Sequence, residues 1–140
     1  MSEVIDYKVF HKVQSSILND ILELEKIIFP EPLGMDKLSR ELSTKHNITF
    51  FMAYVNGKPI AYKVGFERSA RIYYSWIGGV SPEFRNSGVA KSLMAKQHEY
   101  AKKEGYSIVC TQTDNSFKPQ ILLEKTYFRI VINLKLKIKI

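Results

Sequence analysis

The sequence predicts a mixed α/β (α+β) fold, in which a mostly antiparallel sheet is flanked by helices. Two β-rich runs meet at Asn56-Gly57, a dipeptide that favours the type I′ turn of a β-hairpin. A strand, a helix and a second strand then follow over residues 71–113, in the order that produces a parallel βαβ crossover. An amphipathic helix over residues 14–29 supplies a cover for one face of the sheet.

The other elements follow from periodicity and from turn residues. The helix over 14–29 places most of its leucines and isoleucines on one face, with Ser15 or Ser16 as a candidate cap. "PEPLG" (30–34) ends that helix, because proline and glycine disfavour its continuation. The predicted elements are a strand (4–10), two helices (14–29 and 35–46), a hairpin (48–68), a strand (71–81), a helix (87–105), a strand (106–113), a helix (119–128) and a strand (129–140).

Length and composition indicate a globular protein. The 140 residues are enough for one ordinary domain, so we expect a single domain over 1–140. Apolar residues make up 45% of the chain, which is typical of a protein with a real core. The net charge of +7 favours anionic partners such as phosphorylated cofactors. Nucleic acid is not an expected partner, because the basic residues are scattered and no base-stacking motif is visible.

The cysteine content and the N-terminal residues bear on the compartment. Cys110 is the single cysteine, which makes an intramolecular disulfide impossible and favours a reducing environment. "MSEVIDYKVF" lacks the pattern of a signal peptide, and no stretch reaches the roughly 18 apolar residues of a membrane span. We therefore expect a cytoplasmic protein with no membrane partner. The three histidines share no metal-ligand spacing, so no metal site is expected.

The stretch "VSPEFRNSGVA" (80–90) begins as turn chemistry and becomes a helix. The first amides of such a helix lack intrahelical partners and carry partial positive charge, so they form a ready anion site. Gly88 would let a phosphate approach the backbone without a Cβ in the way, and Arg85 adds a full positive charge. The stretch is neither a P-loop nor a G-x-G-x-x-G fingerprint. A well-capped helix without a ligand is the alternative.

This stretch resembles motif A of the GNAT acetyltransferases, V-x-P-x-x-R/Q-x-x-G-x-G/A. The residues at its key places are Val80, Pro82, Arg85, Gly88 and Ala90. The order of elements is also similar to the GNAT order, so the resemblance covers most of the chain. It implies the GNAT acyl-CoA N-acyltransferase fold and an N-acetyltransferase that moves an acetyl group from acetyl-CoA to an amine. The acceptor could be a small molecule, a peptide N terminus or a lysine, and a homodimer stays open.

The resemblance also implies where acetyl-CoA binds. The cofactor would lie between the strands 71–81 and 106–113, with its pantetheine arm paired to the backbone of the first strand. A bulge or close backbone approach is expected at Gly78-Gly79, and an amide near Gly78 to Val80 would stabilise the developing oxyanion. The cofactor-binding residues that the resemblance implies are Ile77, Gly78, Gly79, Val80, Arg85, Asn86, Ser87, Gly88, Val89 and Ala90.

The catalytic acid and base are harder to assign. "TDNSFKPQILLEKTYF" (113–128) is similar to an altered motif B, in which relatives often carry a tyrosine acid, but Leu123 stands at that position. Tyr127 is the candidate substitute, with packing as the alternative. Glu67, at the end of its strand, is the candidate base, with a solvated charge as the alternative. The missing tyrosine supports a second function, a non-catalytic acyl-CoA-binding module with the same fold.

Candidate substrate-binding residues lie in two places. Phe29 and Glu31 fall where the family's acceptor-binding loop lies, and a surface loop with a packed phenylalanine is the alternative. Trp76 lies on the central strand, where it would either pack in the core or line the acceptor cleft.

The C-terminal end departs from the family pattern. Relatives close the sheet with a hairpin after motif B, whereas only 12 residues follow Phe128 and none of them is glycine or proline. We therefore expect a shortened end with one strand over 129–140. Its apolar residues from Leu134 to Ile140 would share one face, and its lysines would occupy the other.

Overall fold

The computed structural model describes residues 3–112, 129–132 and 135–139. The predicted helix over 119–128, Leu123 and Tyr127 therefore lie outside the described residues. The strands are β1 (Asp6–Phe10), β2 (His46–Val55), β3 (Lys58–Ser69), β4 (Ile72–Val80), β5 (Ile108–Gln112), β6 (Arg129–Ile132) and β7 (Lys135–Lys139). The helices are α1 (Ser15–Ile28), α2 (Met35–Ser43) and α3 (Val89–Lys103), and a 3₁₀ turn (Pro82–Phe84) precedes α3.

The described strands form one mixed sheet in the order β1-β2-β3-β4-β5-β7-β6. Neighbours from β1 to β4 are antiparallel, β4 and β5 are parallel, and β5, β7 and β6 are again antiparallel. Helix α3 connects the two parallel strands, as a crossover requires. The predicted fold class, a mixed and mostly antiparallel sheet flanked by helices, is confirmed.

The turn at Asn56-Gly57 determines the register of β2 against β3. Asn56 has φ of 50° and Gly57 has φ of 78°, so both lie in the left-handed region that a type I′ turn requires. The two strands pair directly on either side of this turn, from Val55↔Lys58 onwards. The hairpin predicted from this dipeptide is confirmed.

Helices cover both faces of the sheet. On one face, α1 and α2 pack against alternate residues of β2, including Phe50 and Met52. On the other face, α3 packs against the residues between them, including Phe51 and Ala53. Strand β2 is therefore apolar on both sides, which explains why it reads as a continuous hydrophobic run rather than as an alternating one.

Two details of α1 differ from the sequence-based expectation. The N-cap residue is Gln14, and no side chain makes a capping hydrogen bond, so neither Ser15 nor Ser16 is the cap. Ile27 is 49% exposed instead of sharing the buried face. It lies roughly 120° around the helix from Ile21, beyond the edge of the stripe that faces the sheet.

The expectation of a single strand over residues 129–140 is wrong. Strands β6 and β7 pair antiparallel from Arg129↔Lys139 to Ile132↔Leu136, so this segment folds back as a hairpin. Pairing satisfies the outer edge of β7, which a single strand would have left open beside β5. Asn133 and Leu134, which follow β6 in the sequence, lie outside the described residues. The predicted placement of apolar residues on one face and lysines on the other stays a prediction. Asparagine is a turn-forming residue type, a signal that counting only glycine and proline overlooks.

Gly65 of β3 lies beneath the ring of Tyr73. A Cβ at this position would lie 2.3 Å from Cε2 of Tyr73 and 2.8 Å from the side-chain amide nitrogen of Gln97, a buried residue of α3. The register also shifts here, since Val64 pairs with Ile77 and Gly65 pairs with Ser75, leaving one extra residue in β4. Glycine is therefore needed at position 65 for close packing between β3, β4 and α3.

We expect Gly65→Ala to destabilise the protein by about 1–3 kcal/mol, because the added methyl group meets a buried ring that cannot move away. Gly79→Ala is the matched control, since its Cβ would meet the flexible end of Ile28 at 2.9 Å. Both substitutions lower the entropy of the unfolded chain equally, so their difference isolates the packing effect. Urea unfolding measures both free energies, and an equal or larger loss for Gly79→Ala would contradict this account.

Candidate functional site

A gap opens in the sheet where β4 and β5 part. Their parallel register runs from Ile72↔Ile108 to Ser75↔Thr111 and ends there, whereas β4 continues to Val80 alongside β3. At the point of divergence the hydroxyl of Thr111 donates a hydrogen bond to the carbonyl oxygen of Ser75, 2.9 Å away. Trp76, the next residue, is the extra residue of the β4 bulge, and bulges bend a strand and increase its twist.

Among the described residues, the backbone of β4 presents polar groups to this gap without a strand partner on that side. The amide of Ser81 donates to the carbonyl oxygen of Ile60 at 2.8 Å, which fixes the phase of the β3–β4 ladder. Because antiparallel hydrogen bonds alternate every two residues, the amides of Ile77 and Gly79 face β3, and those of Gly78 and Val80 face the gap. An extended chain placed in the gap would find donors and acceptors in the spacing of a β-strand.

The gap leads into a cleft of about 490 Å³ between β4 and the α1–α2 side of the protein. Three of the predicted residues at its mouth, Phe29, Glu31 and Trp76, are brought together here with Ile77 and Gly78. The described residues that line the cleft are Glu25, Phe29, Glu31, Leu33, Lys37, Glu41, Tyr62, Lys63, Ser75, Trp76, Ile77, Gly78 and Thr111. Trp76 packs against the core beneath α1 and also lines this cleft, and its role in binding an acceptor stays a prediction.

Gly78 and Gly79 are close-approach positions, and the bulge lies next to them at Trp76. A Cβ on Gly78 would lie 3.1 Å from the carbonyl oxygen of Tyr62 on β3. On Gly79 it would lie 2.9 Å from Cδ1 of Ile28 and 3.4 Å from Cε2 of Phe29, at the end of α1. The absence of side chains here lets α1 and the segment after it rest on β4 beside the cleft.

The turn into α3 contains two left-handed residues, Asn86 with φ of 66° and Gly88 with φ of 86°. Gly88 is the N-cap residue, and a Cβ built on it would meet nothing within 4 Å. The amide of Ser92 donates to the carbonyl oxygen of Gly88 at 3.0 Å. The amides of Val89 and Ala90 lie in the first turn, where the helix itself supplies no acceptor. Together with the exposed Arg85, these amides form an open, electropositive concavity that follows directly from β4.

A buried carboxylate that sequence reasoning missed lies in the cleft wall. Glu25, in the last turns of α1, is 4% exposed and accepts hydrogen bonds from the Leu33 amide at 3.0 Å and from the Tyr62 hydroxyl. Burial and the Glu25 carboxylate both raise the pKa of Tyr62, so this hydroxyl stays protonated and remains a donor. A signal was present in the sequence, since Glu25 falls at helical spacing from Leu18 and Ile21 on the buried face.

Glu67, the candidate base, lies elsewhere. Its carboxylate accepts a hydrogen bond from the Tyr106 hydroxyl at 2.8 Å, in a network that also includes Asn47 and Tyr100. Among the described residues it is not part of the cleft lining. A catalytic role for Glu67 stays a prediction that this geometry does not support.

His98 is a buried titratable group on the α3 side of the sheet. Burial, and secondarily the nearby positive charge of Lys63, lowers the pKa of His98 to about 3. Lys63 lines the cleft from β3 and is itself buried. The neutral imidazole therefore belongs to the scaffold behind the cleft, and it stays neutral over the whole working range of an ordinary protein.

The match to a family model agrees with this geometry. A model described as an acetyltransferase (GNAT) domain matches residues 29–118, which include the cleft segment, β4 and the whole of α3. The chain belongs to the GNAT acetyltransferase family. No curated protein sequence matches the chain significantly.

Solved structures share the fold at low sequence identity. The ribosomal-protein-S18-alanine N-acetyltransferase from Escherichia coli superposes with a TM-score of 0.77 at 15% identity, covering 91% of this chain and 80% of that one. A GNAT family acetyltransferase from Elizabethkingia anophelis with acetyl-CoA bound gives 0.71 at 17% identity, covering 97% and 98%. An aminoglycoside acetyltransferase from an uncultured soil metagenomic sample, in complex with sisomicin, gives 0.70 at 13% identity, covering 92% and 93%.

None of the helices in the described part of the chain combines the length and apolar character that crossing a bilayer requires. No group of three or more histidine, cysteine, aspartate or glutamate side chains within the described ranges is arranged to hold a metal ion.

The depressed pKa of His98 predicts a specific pH dependence of stability. The unfolded chain binds a proton at this histidine below about pH 6.5, whereas folded His98 stays neutral down to about pH 3. The unfolded state therefore binds more protons in that window, and stability falls as pH is lowered through it, by up to about 1.4 kcal/mol per pH unit.

His98→Gln should remove this component, and His46→Gln, at an exposed histidine, should not. Urea unfolding at pH 7.5 and pH 5.5 supplies the comparison. The free energy of unfolding of the wild type should fall more between pH 7.5 and pH 5.5 than that of His98→Gln. An equal or smaller fall in the wild type would show that His98 is not the responsible group.

Proposed function

We propose that this protein is an N-acetyltransferase that moves an acetyl group from acetyl-CoA to an amine by direct attack. The observation that carries the proposal is the parting of β4 from β5 beside an electropositive helix N terminus. The gap beside β4 can pair with an extended arm as a neighbouring strand would, and the N terminus of α3 can donate hydrogen bonds from its amides to an anion. Acetyl-CoA combines both, since an amide-bearing pantetheine arm joins its thioester to its phosphates.

The residues of the site fit this cosubstrate. The gap-facing amides of Gly78 and Val80 would pair with the pantetheine arm, and Gly78 leaves the strand edge without a side chain. The open space in front of Gly88 would admit a pyrophosphate to the amides at the start of α3, with Arg85 beside it. Lys96 is less well placed for phosphate, because its ammonium lies over the ring of Tyr7, 4.9 Å from the centroid.

The proposed reaction needs few protein groups. The neutral amine attacks the carbonyl carbon of the thioester, a C–N bond forms, the C–S bond breaks, and the surplus proton of the nitrogen passes to the departing thiolate or to water. A gap-facing amide of β4 would stabilise negative charge on the carbonyl oxygen. A thiol has an ordinary pKa near 8.5, so the thiolate leaves without strong acid assistance.

The acceptor is an amine that enters from the α1–α2 side. The charged residues in the described part of the cleft lining are Glu25, Glu31, Glu41, Lys37 and Lys63. Glu25 is engaged by Leu33 and Tyr62, and the carboxylates of Glu31 and Glu41 favour acceptors that carry positive charge. Similar structures include an enzyme named for a ribosomal-protein alanine and an acetyltransferase in complex with sisomicin, so a peptide N terminus and an aminoglycoside are the first acceptors to test.

We place the proposed enzyme in the cytoplasm and treat residues 1–140 as one domain. Cys110, a buried and free thiol, supports a reducing environment. A homodimer stays an open proposal, which size-exclusion chromatography with light scattering would test.

Gly88→Asp should weaken acetyl-CoA binding by at least about tenfold, or about 1.4 kcal/mol. The substitution puts a negative charge at the helix N terminus, where the proposed phosphate lies. Gly88→Asn is the matched control, since asparagine tolerates the same left-handed backbone and has nearly the same shape without the charge. Isothermal calorimetry measures both affinities. An Asp variant that binds acetyl-CoA as tightly as the Asn variant would refute phosphate binding at the start of α3.

Release of free CoA in the presence of amines separates an enzyme from a binding module. We expect slow transfer to an alanyl peptide, sisomicin or spermidine, because acid–base groups typically contribute roughly 10²–10⁴-fold and Leu123 replaces the usual acid. The rate should rise from pH 6 to pH 9 as the acceptor amine loses its proton. Tight acetyl-CoA binding without release above the uncatalysed rate would instead support the non-catalytic module, and the same mixture without protein gives the uncatalysed rate.

A further inference from the structure

The segment Phe29–Leu33, here called the acceptor segment, connects α1 to α2 across the mouth of the cleft. It carries Phe29, Glu31 and Leu33 into the cleft lining. Two prolines, at positions 30 and 32, deprive it of two amide donors, so it has few backbone hydrogen bonds with which to hold its shape. Its position must therefore be determined by the contacts at its two ends.

Both ends of this segment are bonded to the same residue. The amide of Phe29 donates to the backbone carbonyl of Glu25 at 3.0 Å, and the amide of Leu33 donates to the Glu25 side chain, also at 3.0 Å. One glutamate thus closes the loop from its first residue to its last. Substituting its side chain would release the far end and leave the near end attached.

Glu25 is in turn attached to the sheet. Its second carboxylate oxygen accepts the hydrogen bond of the Tyr62 hydroxyl, and both side chains are buried. Tyr62 is the register partner of Gly79, the residue on which Ile28 and Phe29 rest. Glu25 thus connects α1 to β3 through Tyr62, β3 pairs with β4 at Gly79, and Gly79 contacts the start of the acceptor segment at Phe29.

We propose that Glu25 is the positioning residue of the acceptor side, which holds the acceptor segment over the cleft through its hydrogen bonds to Leu33 and Tyr62. This inference rests on the proposed function, since it assigns the acceptor side of the same site. The charged groups that share the cleft with Glu25 are Glu31, Lys37, Glu41 and Lys63. The acetyl-CoA side, at Gly78 and the start of α3, makes no hydrogen bond with it among the described residues.

Positioning by hydrogen bonds and action by charge make opposite predictions for Glu25→Gln. The amide oxygen of glutamine still accepts from the Leu33 amide, and its NH₂ group can donate to the Tyr62 oxygen, so both connections survive without the charge. Alanine removes both. Tyr62→Phe removes only the connection to the sheet, and Glu23→Ala, at an exposed position of the same helix, is the matched control.

Trp76 reports on the acceptor segment directly, because it is the single tryptophan of the chain and shares the cleft with Phe29. Acrylamide quenching of its fluorescence should increase clearly in Glu25→Ala and to a smaller extent in Tyr62→Phe. Glu25→Gln and Glu23→Ala should match the wild type. This measurement needs neither turnover nor a known acceptor. Far-UV circular dichroism verifies that each variant is folded before its quenching is compared.

Steady-state kinetics are measured with the acceptor that the wild type acetylates fastest among the alanyl peptide, sisomicin and spermidine. In Glu25→Ala the KM for this acceptor should rise by at least about tenfold, since hydrogen bonds to charged groups are among the stronger ones. The dissociation constant of acetyl-CoA for Glu25→Ala, measured by calorimetry, should stay within about twofold of the wild-type value. A twofold change corresponds to much less free energy than the loss of one such hydrogen bond. Glu25→Gln should restore most of the acceptor KM.

The inference is overturned if quenching in Glu25→Ala equals that of the wild type. It is equally overturned if Glu25→Gln behaves like Glu25→Ala, a result that would assign Glu25 a role through its charge instead. These outcomes are distinct from failure of the proposed function, which would show itself as wild-type protein that does not bind acetyl-CoA. The quenching order among the four variants remains decisive in that case as well.

Discussion

The parting of β4 from β5 is the constraint on which the rest of the site depends. A sheet normally satisfies every backbone donor and acceptor of its inner strands. Here five residues of β4, from Trp76 to Val80, continue without a strand partner on the β5 side within the described part of the chain. The bulge at Trp76 allows this, because it bends β4 just beyond the last paired residue. Backbone groups without a strand partner require water or a ligand to satisfy them, so the divergence is a candidate binding site that the fold itself provides.

Charge is distributed unevenly around this divergence. The chain carries a net charge of +7, and the start of α3 with Arg85 is electropositive, yet the described cleft lining includes the carboxylates of Glu31 and Glu41. Under the proposed function this separates two substrates of opposite charge. An anionic cosubstrate would meet helix amides beyond the end of β4, and a cationic amine would meet carboxylates in the cleft beside the middle of β4, so each is attracted to its own side of the reacting atoms.

Local patterns in the sequence predicted most of the described fold. Asn56-Gly57 specifies its turn through backbone angles that few other residues adopt, so the hairpin could be assigned from two letters. The glycine at position 88 likewise marked the start of α3. The prediction for residues 129–140 was wrong for a related reason. This segment contains no glycine or proline, and the alternation of apolar and polar residues near its end gives no sign of where one strand stops and the next begins. Pairing between strands is a long-range choice that alternation alone does not decide.

What the sequence by itself determined was the class of elements, their order, and the glycine-containing turn that begins α3, because each depends on residues close together in the chain. The tertiary structure alone decided which side chains face the cleft. Glu67 and Glu25 are both glutamates near the ends of apolar elements, yet the first is bonded to Tyr106 away from the cleft and the second to Tyr62 and Leu33 in its wall. Helical spacing placed Glu25 on a buried face, but its hydrogen-bond partners come from residue 33 and from residue 62. Those partners become neighbours only when α1 packs on the sheet, so they could not be deduced from the spacing of residues within one element.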